Sequence, residues 1–373
     1  MTAASRHRRR VSMPVNLDGR PGRRLPAPRA LGNGLSALWE TAGVQIVVLA
    51  GGVGGSKFVQ GVRRAYPDAD ITVVGNTADD ITLHGLRICP DLDTMMYTLG
   101  GGGDDERGWG RLGESWRVLS ELKAYGVEPS WFSVGDLDLG THLVRTQMLA
   151  AGYPLSAVTE ALCSRWLADD PRLRLVPMSD DRVETHIVIP DDGPAGRRAV
   201  HFQEYWVRLR AVPEALEVLR VGLAEATPAP AVLPALAAAD LVLLAPSNPV
   251  VSLGPILGVP GLADALRATP APVLGFAGIL GGAPVLGMAH RLLPAIGVEV
   301  DAAAVGLHYG ARRRGGLLDL WAIDSRDGAS ASTVTAAGLA VTVTDLVMRD
   351  ADATAAFVRS AVDGLPAGSA PAA

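Results

Sequence analysis

Residues 45 to 75 constrain the fold of this chain more than any other stretch. Gln45–Ala50 reads QIVVLA, a short apolar run rich in β-branched side chains, and it ends at Gly51-Gly52-Val53-Gly54-Gly55-Ser56-Lys57. A helical pattern follows to about Ala65, with Phe58, Val59 and Val62 on one side, and Ile71–Gly75 (ITVVG) is a second apolar run. Strand, helix and strand joined by short turns make a βαβ unit. Two parallel strands need such a crossover, so the unit predicts a parallel sheet.

The same grammar returns later. Leu241–Ala245 (LVLLA) reads as a buried strand before the turn-rich Pro246–Pro249. Gly261–Ala268 and Ala289–Ile296 read as helices, and Pro272–Ile279, Ala304–His308 and Leu317–Ile323 as strands. Leu339–Val347 fits an edge strand and Ala353–Val362 a closing helix. Two stretches depart from this pattern. Gly108–Gly152 and Leu155–Leu167 are helical in character and read as an insertion at about 105–170. Glu184–Pro190 and Ala199–Arg208 alternate around Asp191-Asp192-Gly193-Pro194, which is a hairpin signal. The expected fold class is therefore α/β: a Rossmann-like, mainly parallel sheet flanked by helices, with a helical insertion and an antiparallel hairpin.

Residues 44–365 are expected to form a single domain. The first 43 residues carry eight arginines among Pro, Gly and Ala and read as a disordered basic tail, while 366–373 read as a frayed tail. No apolar segment follows the N-terminal charges, so a secretory signal is not expected. The net charge of −5 argues against a nucleic-acid partner. No apolar run has the length of a membrane span, so no membrane partner is expected either. Cys89 and Cys163 stand alone, with no metal-binding or disulfide spacing, which suits a cytoplasmic protein.

Five segments could carry chemistry. Gly52, Gly54 and Gly55 lie between strand and helix, where backbone N–H groups can approach an anion unobstructed by Cβ atoms. Ser56-Lys57 reverses the order of a Walker loop, and Lys57 stands where a dinucleotide fingerprint needs its third glycine. Phosphate is thus favoured over NAD, and a plain tight turn is the simpler reading. Asn76-Thr77-Ala78-Asp79-Asp80 follows the strand ITVVG, at the strand end where doubly wound sheets bind ligands. Adjacent carboxylates there want a cation, a proton or solvent. Mg²⁺ suits them, because it binds through one or two carboxylates plus substrate phosphates. An exposed Asp-rich turn is the alternative.

In Arg87-Ile88-Cys89-Pro90-Asp91-Leu92-Asp93-Thr94, Asp91 and Asp93 could face a metal, or Asp93 could cap a helix. Arg87 could pair with a carboxylate or a phosphate. Thr98–Gly110 (TLGGGGDDERGWG) reads as a lid or a surface loop. Ser247, Asn248 and Ser252, in PSNPVVS, offer polar groups to a nucleotide, or they build a turn. His84 lies closest to the acidic segment, and the histidines form no metal pattern.

Together these segments resemble a known family. The order GGVGGSK, NTADD…HG, RICPDLDT, MYTLGGG…ERGWG, LGTHLVRTQ, ETHIV…HFQE and LAPSNPVVSLGPIL, from about Val44 to Val347, is similar to the 2-phospho-L-lactate transferases of coenzyme F420 biosynthesis. The resemblance implies an acceptor, the deazaflavin Fo, and a donor that is a guanosine diphosphate diester of enolpyruvate or lactate. The ribityl hydroxyl of Fo would attack the phosphorus bearing the three-carbon acid, release GMP and give dehydro-F420-0 or F420-0. The enolpyruvyl donor is the favoured one. Gly52, Gly54 and Gly55 would cradle donor phosphates; Lys57, Asn76, His84, Arg87, Ser247 and Asn248 would contact substrates. Asp79, Asp80, Asp91 and Asp93 would hold Mg²⁺, with Asp79 or Asp80 also a candidate proton acceptor. A homodimer is expected.

Ala78 departs from the glycine that the family commonly carries before the Asp pair; a positive φ there would strain it. Two rival readings remain: a nucleotide-sugar-binding regulator of the same fold without transferase activity, and, more remotely, a nicotinamide dehydrogenase.

Overall fold

The structure, a computed structural model, describes residues 43–104 and 106–366. The arginine-rich segment through residue 42, residue 105 and the stretch from 367 lie outside the described residues. The chain opens with β1 (Gln45–Ala50), α1 (Gly52–Ala65) and β2 (Asp70–Gly75). A small hairpin, β3 (Ile81–Leu83) and β4 (Leu86–Ile88), leads into α2 (Pro90–Leu99). The insertion supplies α3 (Arg117–Ala124), α4 (Asp136–Ala150) and α5 (Leu155–Trp166) before β5 (Leu173–Pro177). Next come β6 (Glu184–Pro190), β7 (Arg197–His201) and β8 (Glu217–Val221). The second half runs α6 (Val232–Ala238), β9 (Leu241–Leu244), α7 (Leu253–Gly258), α8 (Leu262–Ala268) and β10 (Val273–Phe276). A two-residue ribbon, β11 (Ile279–Leu280) and β12 (Ala283–Pro284), precedes α9 (Ala289–Leu292), α10 (Ala302–Tyr309), β13 (Leu320–Asp324), α11 (Ala331–Ala336), β14 (Ala340–Thr344) and α12 (Ala351–Asp363).

Seven strands form one parallel sheet in the order β14-β13-β10-β9-β1-β2-β5. From β1 the chain steps outward to β2 and β5, then returns to β9 on the other side of β1 and steps outward the opposite way. Right-handed crossovers in opposite directions place helices on both faces of the sheet. The central strands are consequently buried on both sides, and all four residues of β9 are buried. That is why they are continuous apolar runs and not alternating ones. Helices α1 and α12 pack closely: a Cβ on Gly61 would lie 2.1 Å from Thr354. Phe58, Phe276 and Phe357 stack between them and the sheet, with the first two ring centroids 4.8 Å apart.

Outside the main sheet, β6 pairs antiparallel with β7, as the hairpin signal implies, and also with β8. A satellite core of Ile81, Leu83, Ile88 and Val134, with Trp131 and Phe132 against it, ties the β3–β4 hairpin to the insertion.

Two expectations need correction. Ala304–His308, read as a strand, lies in helix α10, where the Asp301 side chain accepts from the Ala304 amide at 2.9 Å and caps the first turn. A short run that is apolar on every side has no periodicity to separate strand from helix. In Ala199–Arg208, β7 ends at His201 and Glu204–Arg208 is a π-helical turn. The four-glycine run 100–103 packs against the insertion: a Cβ on Gly102 would lie 2.0 Å from the Trp166 ring. Among the described residues, no helix is long and apolar enough to cross a membrane.

Candidate functional site

The sheet reverses its strand order between β1 and β9. Loops leaving the carboxyl ends of parallel strands diverge at such a point and open a crevice for ligands. Three of the expected segments meet here: the glycines after β1, the Asn76–Asp80 loop after β2 and the Pro246–Ser252 loop after β9.

The glycines form the first turn of α1 itself, which starts at Gly52. Their N–H groups are therefore those of a helix N-terminus, which favours an anion. Gly51 is wedged in: its amide donates to Ser247 Oγ at 3.0 Å, and that hydroxyl donates back to the Gly51 carbonyl at 2.9 Å. A Cβ at Gly51 would stand 2.6 Å from Asp91 Oδ2 and 2.6 Å from Ser252 Cβ. At Gly55 it would stand 2.9 Å from Ser247 Oγ. Gly52 takes φ +64°, where a side chain would be strained. Gly54 is looser, 3.7 Å from the Pro246 carbonyl at its nearest. Lys57 lies half-buried on the second turn of α1.

Asn76 organises the acidic loop. Its side-chain amide donates to Asp91 Oδ2 at 3.0 Å, and its side-chain carbonyl accepts from the Ala78 amide at 3.0 Å. Ala78 is fully buried, and among the described non-glycine residues only His84, Arg210 and Ala211 have positive φ. The alanine is thus accommodated without strain. The Thr185 amide of β6 donates to the Ala78 carbonyl at 2.7 Å, which docks the antiparallel sheet onto this loop.

The three carboxylates differ in their partners. Asp79 is buried and its Oδ1 has no partner among the described residues. Burial raises its pKa well above the usual range, and the charges of Asp91 and Asp80 add to the effect. Asp80 is also buried; Arg87 holds its Oδ2 at 3.2 Å and its Oδ1 has no partner among the described residues. Burial lifts it to about 6 against the pull of Arg87. Asp91, on the first turn of α2, is pushed up to about 7 by burial, with Asn76 opposing.

Asp93 is placed differently from the expected metal ligand or helix cap. It forms a forked ion pair with Arg145 of α4, which is 2% exposed, and His142 Nδ1 lies 3.7 Å from its Oδ2. Burial takes His142 down to about 4, so the ring is neutral and Arg145 supplies the balancing charge. Arg145 also donates to the Arg87 carbonyl at 3.4 Å, and Thr146 Oγ1 accepts from the Arg87 amide at 2.9 Å. The insertion therefore buttresses the residue that holds Asp80.

His84 and Gly85 both have positive φ, +51° and +76°, and connect β3 to β4. A two-residue turn of that kind matches the twist of the paired strands, so the His-Gly pair has a structural role. His84 Nε2 is nevertheless buried without a partner among the described residues. Asn248 Oδ1 accepts from the amides of Val250 and Val251 and shapes the loop after β9.

Among the described residues, no group of three or more His, Cys, Asp or Glu is arranged to hold a metal. The donor set fits Mg²⁺ in its other mode, in which carboxylates supply part of the shell and substrate phosphates the rest. The unpartnered buried oxygen of Asp79 is what such a cation would satisfy, and the one on Asp80 is open to a cation or a proton.

A family model, 2-phospho-L-lactate transferase CofD, matches residues 46–352. The chain belongs to that family. The family assignment makes the protein a transferase of coenzyme F420 biosynthesis. Phosphoenolpyruvate transferase of Streptomyces griseus is 56% identical over 86% of this chain and 98% of its own length. Those of Streptomyces coelicolor and Mycolicibacterium smegmatis are 56% and 52% identical, each over 86% of this chain and 97% and 98% of their own. A UPF0052 family protein from Bacillus halodurans shares the fold at a TM-score of 0.55 and 16% identity, over 86% of this chain and 99% of its own.

Three participants escaped the sequence reading: Thr185, Gln203 and Arg220. Gln203 donates to the Asp79 carbonyl at 3.4 Å. The first two lie within segments that carry the family resemblance, while Arg220 has no local signal.

Proposed function

We propose that this protein transfers the phosphoenolpyruvyl group of a guanosine diphosphate diester to the terminal ribityl hydroxyl of Fo, releasing GMP and giving dehydro-F420-0. The observation that carries the reading is the pair of unpartnered buried carboxylate oxygens, on Asp79 and Asp80, beside the first turn of α1. Phosphoryl transfer requires little of a protein beyond positioning and neutralised charge, and this crevice supplies both. The free N–H groups of Gly52 and Gly54, on the first turn of α1, bind the donor diphosphate, while Gly55, whose N–H belongs to the helical ladder, keeps the turn closed against Ser247. Asp79 and Asp91 would hold Mg²⁺, which would supply charge neutralisation for the diphosphate and the GMP leaving group. Asp80, anchored by Arg87, accepts the hydroxyl proton through its unpartnered oxygen. Its pKa of about 6 suits a base near neutral pH. The new bond joins the ribityl oxygen to the phosphorus that bears enolpyruvate; the bond from that phosphorus to the GMP oxygen breaks.

The high identity to proteins named phosphoenolpyruvate transferases supports the enolpyruvyl donor over the lactyl one. A cytoplasmic homodimer is part of the same reading. Leu137, Leu143 and Val144 are exposed on α4 and offer an apolar face that a second copy would cover. The test is an incubation of the purified protein with Fo, Mg²⁺ and each guanylyl donor in turn, read by mass spectrometry, with a chelator control. Metal-dependent GMP and phosphoenolpyruvyl-deazaflavin are expected, faster than the lactyl product. No product from either donor, with folded protein, overturns the reading.

A further inference from the structure

Arg220 lies on β8, directly across the ladder from Thr185 of β6, whose amide ties the antiparallel sheet to the Ala78 carbonyl. Its guanidinium leaves that sheet and reaches the loop after β9, where Nη2 donates to the Val250 carbonyl at 2.9 Å. It packs tightly there: a Cβ on Gly254 would stand 2.6 Å from Nη2. The same loop carries Ser247, bonded to Gly51, and Ser252, pressed on Gly51. Arg220 is thus fixed against the loop after β9 that packs on Gly51, the residue preceding α1.

Its charge is uncompensated. Among the described residues, no carboxylate lies within 4.0 Å of the guanidinium, and its buried Nε has no hydrogen-bond partner. Arg145, which is buried, and Arg87 and Arg312, which are partly so, each hold a carboxylate, on Asp93, Asp80 and Asp319. Burial lowers the pKa of Arg220, and the charge of Asp79 opposes that effect, so the acidic loop is within its electrostatic reach. A partly desolvated cation without a close counter-ion is unfavourable, and leaving its buried Nε–H unsatisfied adds to the cost. An anion that enters the crevice removes both penalties, and a phosphate oxygen matches the fork of an arginine.

We propose that Arg220 is a donor-binding residue that meets the diphosphate from the side of the loop after β9. This rests on the guanylyl-donor reading above. One oxyanion would then be held between the helix N-terminus and Arg220, with the acidic loop on its flank. Fo, which brings a neutral hydroxyl, would not engage the guanidinium.

GDP, which carries the diphosphate without the three-carbon acid, is the probe. Its binding to the full chain in the presence of Mg²⁺ would be measured by calorimetry for the wild type, R220Q and R220K. The expected result is a loss of GDP affinity of at least tenfold in R220Q and a smaller loss in R220K, which keeps charge but not the fork. KM for the donor should rise in parallel while KM for Fo stays within twofold, a split that a merely structural defect would not produce. Melting temperature reports folding, and if R220Q does not fold, R220K alone decides. Unchanged GDP affinity in a folded variant overturns the role of Arg220 and leaves the transferase reading intact. Absence of GDP binding by the wild type defeats the guanylyl-donor reading and this proposal together.

Discussion

Asn76 donates its side-chain amide to Asp91 Oδ2 across 3.0 Å, joining the loop after β2 to the first turn of α2. The same carboxamide accepts from the Ala78 amide and so sets the loop that carries Asp79. One side chain therefore fixes two carboxylates that would repel each other when ionised. Replacing it by alanine leaves a buried acceptor and a buried amide unpaired, at a cost of about 1–3 kcal/mol. N76A should melt lower. Its kcat/KM should rise with pH at higher values than in the wild type, because Asn76 holds the Asp91 pKa down. An unshifted profile would show that Asp91 does not govern turnover.

Asp79 and Asp80 should separate activity from stability. D79N and D80N remove charge from buried positions, so each should fold at least as stably as the wild type. Each should lose activity by about 100- to 10,000-fold, the range for a lost acid–base or metal-holding group. Steady-state rates beside melting curves test this, and near-normal turnover in D80N would reassign the proton acceptor.

The site aspartates should make stability depend on pH in the direction opposite to ordinary acid denaturation. Asp79, Asp80 and Asp91 hold their protons to higher pH in the native state than in the unfolded chain, where aspartate titrates near ~3.9. Between the two sets of values the native state binds more protons, so this contribution is complete below the unfolded range. It is lost as pH rises through about 6 and about 7. Burial of neutral His142 and His201 acts the other way, so the aspartates' share is read by difference: on going from about pH 8 to about pH 5 the metal-free wild type should gain melting temperature relative to D80N, and Mg²⁺ with GDP should flatten that difference. No pH-dependent difference between the two proteins would contradict the site electrostatics.

The Asp93–Arg145 pair should be structural. D93A leaves Arg145 buried without a counter-charge and should cost about 3–5 kcal/mol, whereas an apolar replacement of both partners should recover much of that. Chemical denaturation of D93A and of D93L/R145M checks the difference. If D93A instead kept its stability and lost metal-dependent activity alone, Asp93 would rejoin the metal ligands.

Gly51 should admit no side chain. Its φ of −148° suits any residue, so the effect of G51A is steric: the new methyl would meet Asp91 Oδ2 and Ser252 Cβ, each at 2.6 Å. Overpacking of this kind costs about 1–3 kcal/mol, and here it displaces a residue of the site. A crystal structure and an activity assay of G51A should show Asp91 moved and turnover reduced.

Much of this was legible in the order of residues. QIVVLA, ITVVG and LVLLA are short apolar runs without alternation, bounded by turn residues, which suits a strand covered on both faces. Glycines after the first strand and aspartates after the second marked loops that meet at the switch point of the sheet, because strand ends in such a sheet are where the backbone leaves polar groups free. The hairpin at 184–201 was visible from its turn, and its third strand, β8, was not, since EVLRV has no turn tying it to β6. Asp93 shows the same limit. Its spacing from Asp91 is compatible with a metal, a cap or an ion pair, and Arg145, 52 residues further on, decides among them.

Local chemistry by itself therefore determined the parallel sheet, the glycine-rich first turn of α1, the acidic loop and the family. Propensity, periodicity and the steric freedom of glycine act over a few residues and can be read there. Tertiary structure alone decided which aspartates stand unpartnered, that Arg145 closes on Asp93 and that Arg220 reaches the crevice from another sheet. Pairing and desolvation depend on which distant side chains share a small volume, and chain spacing does not encode that.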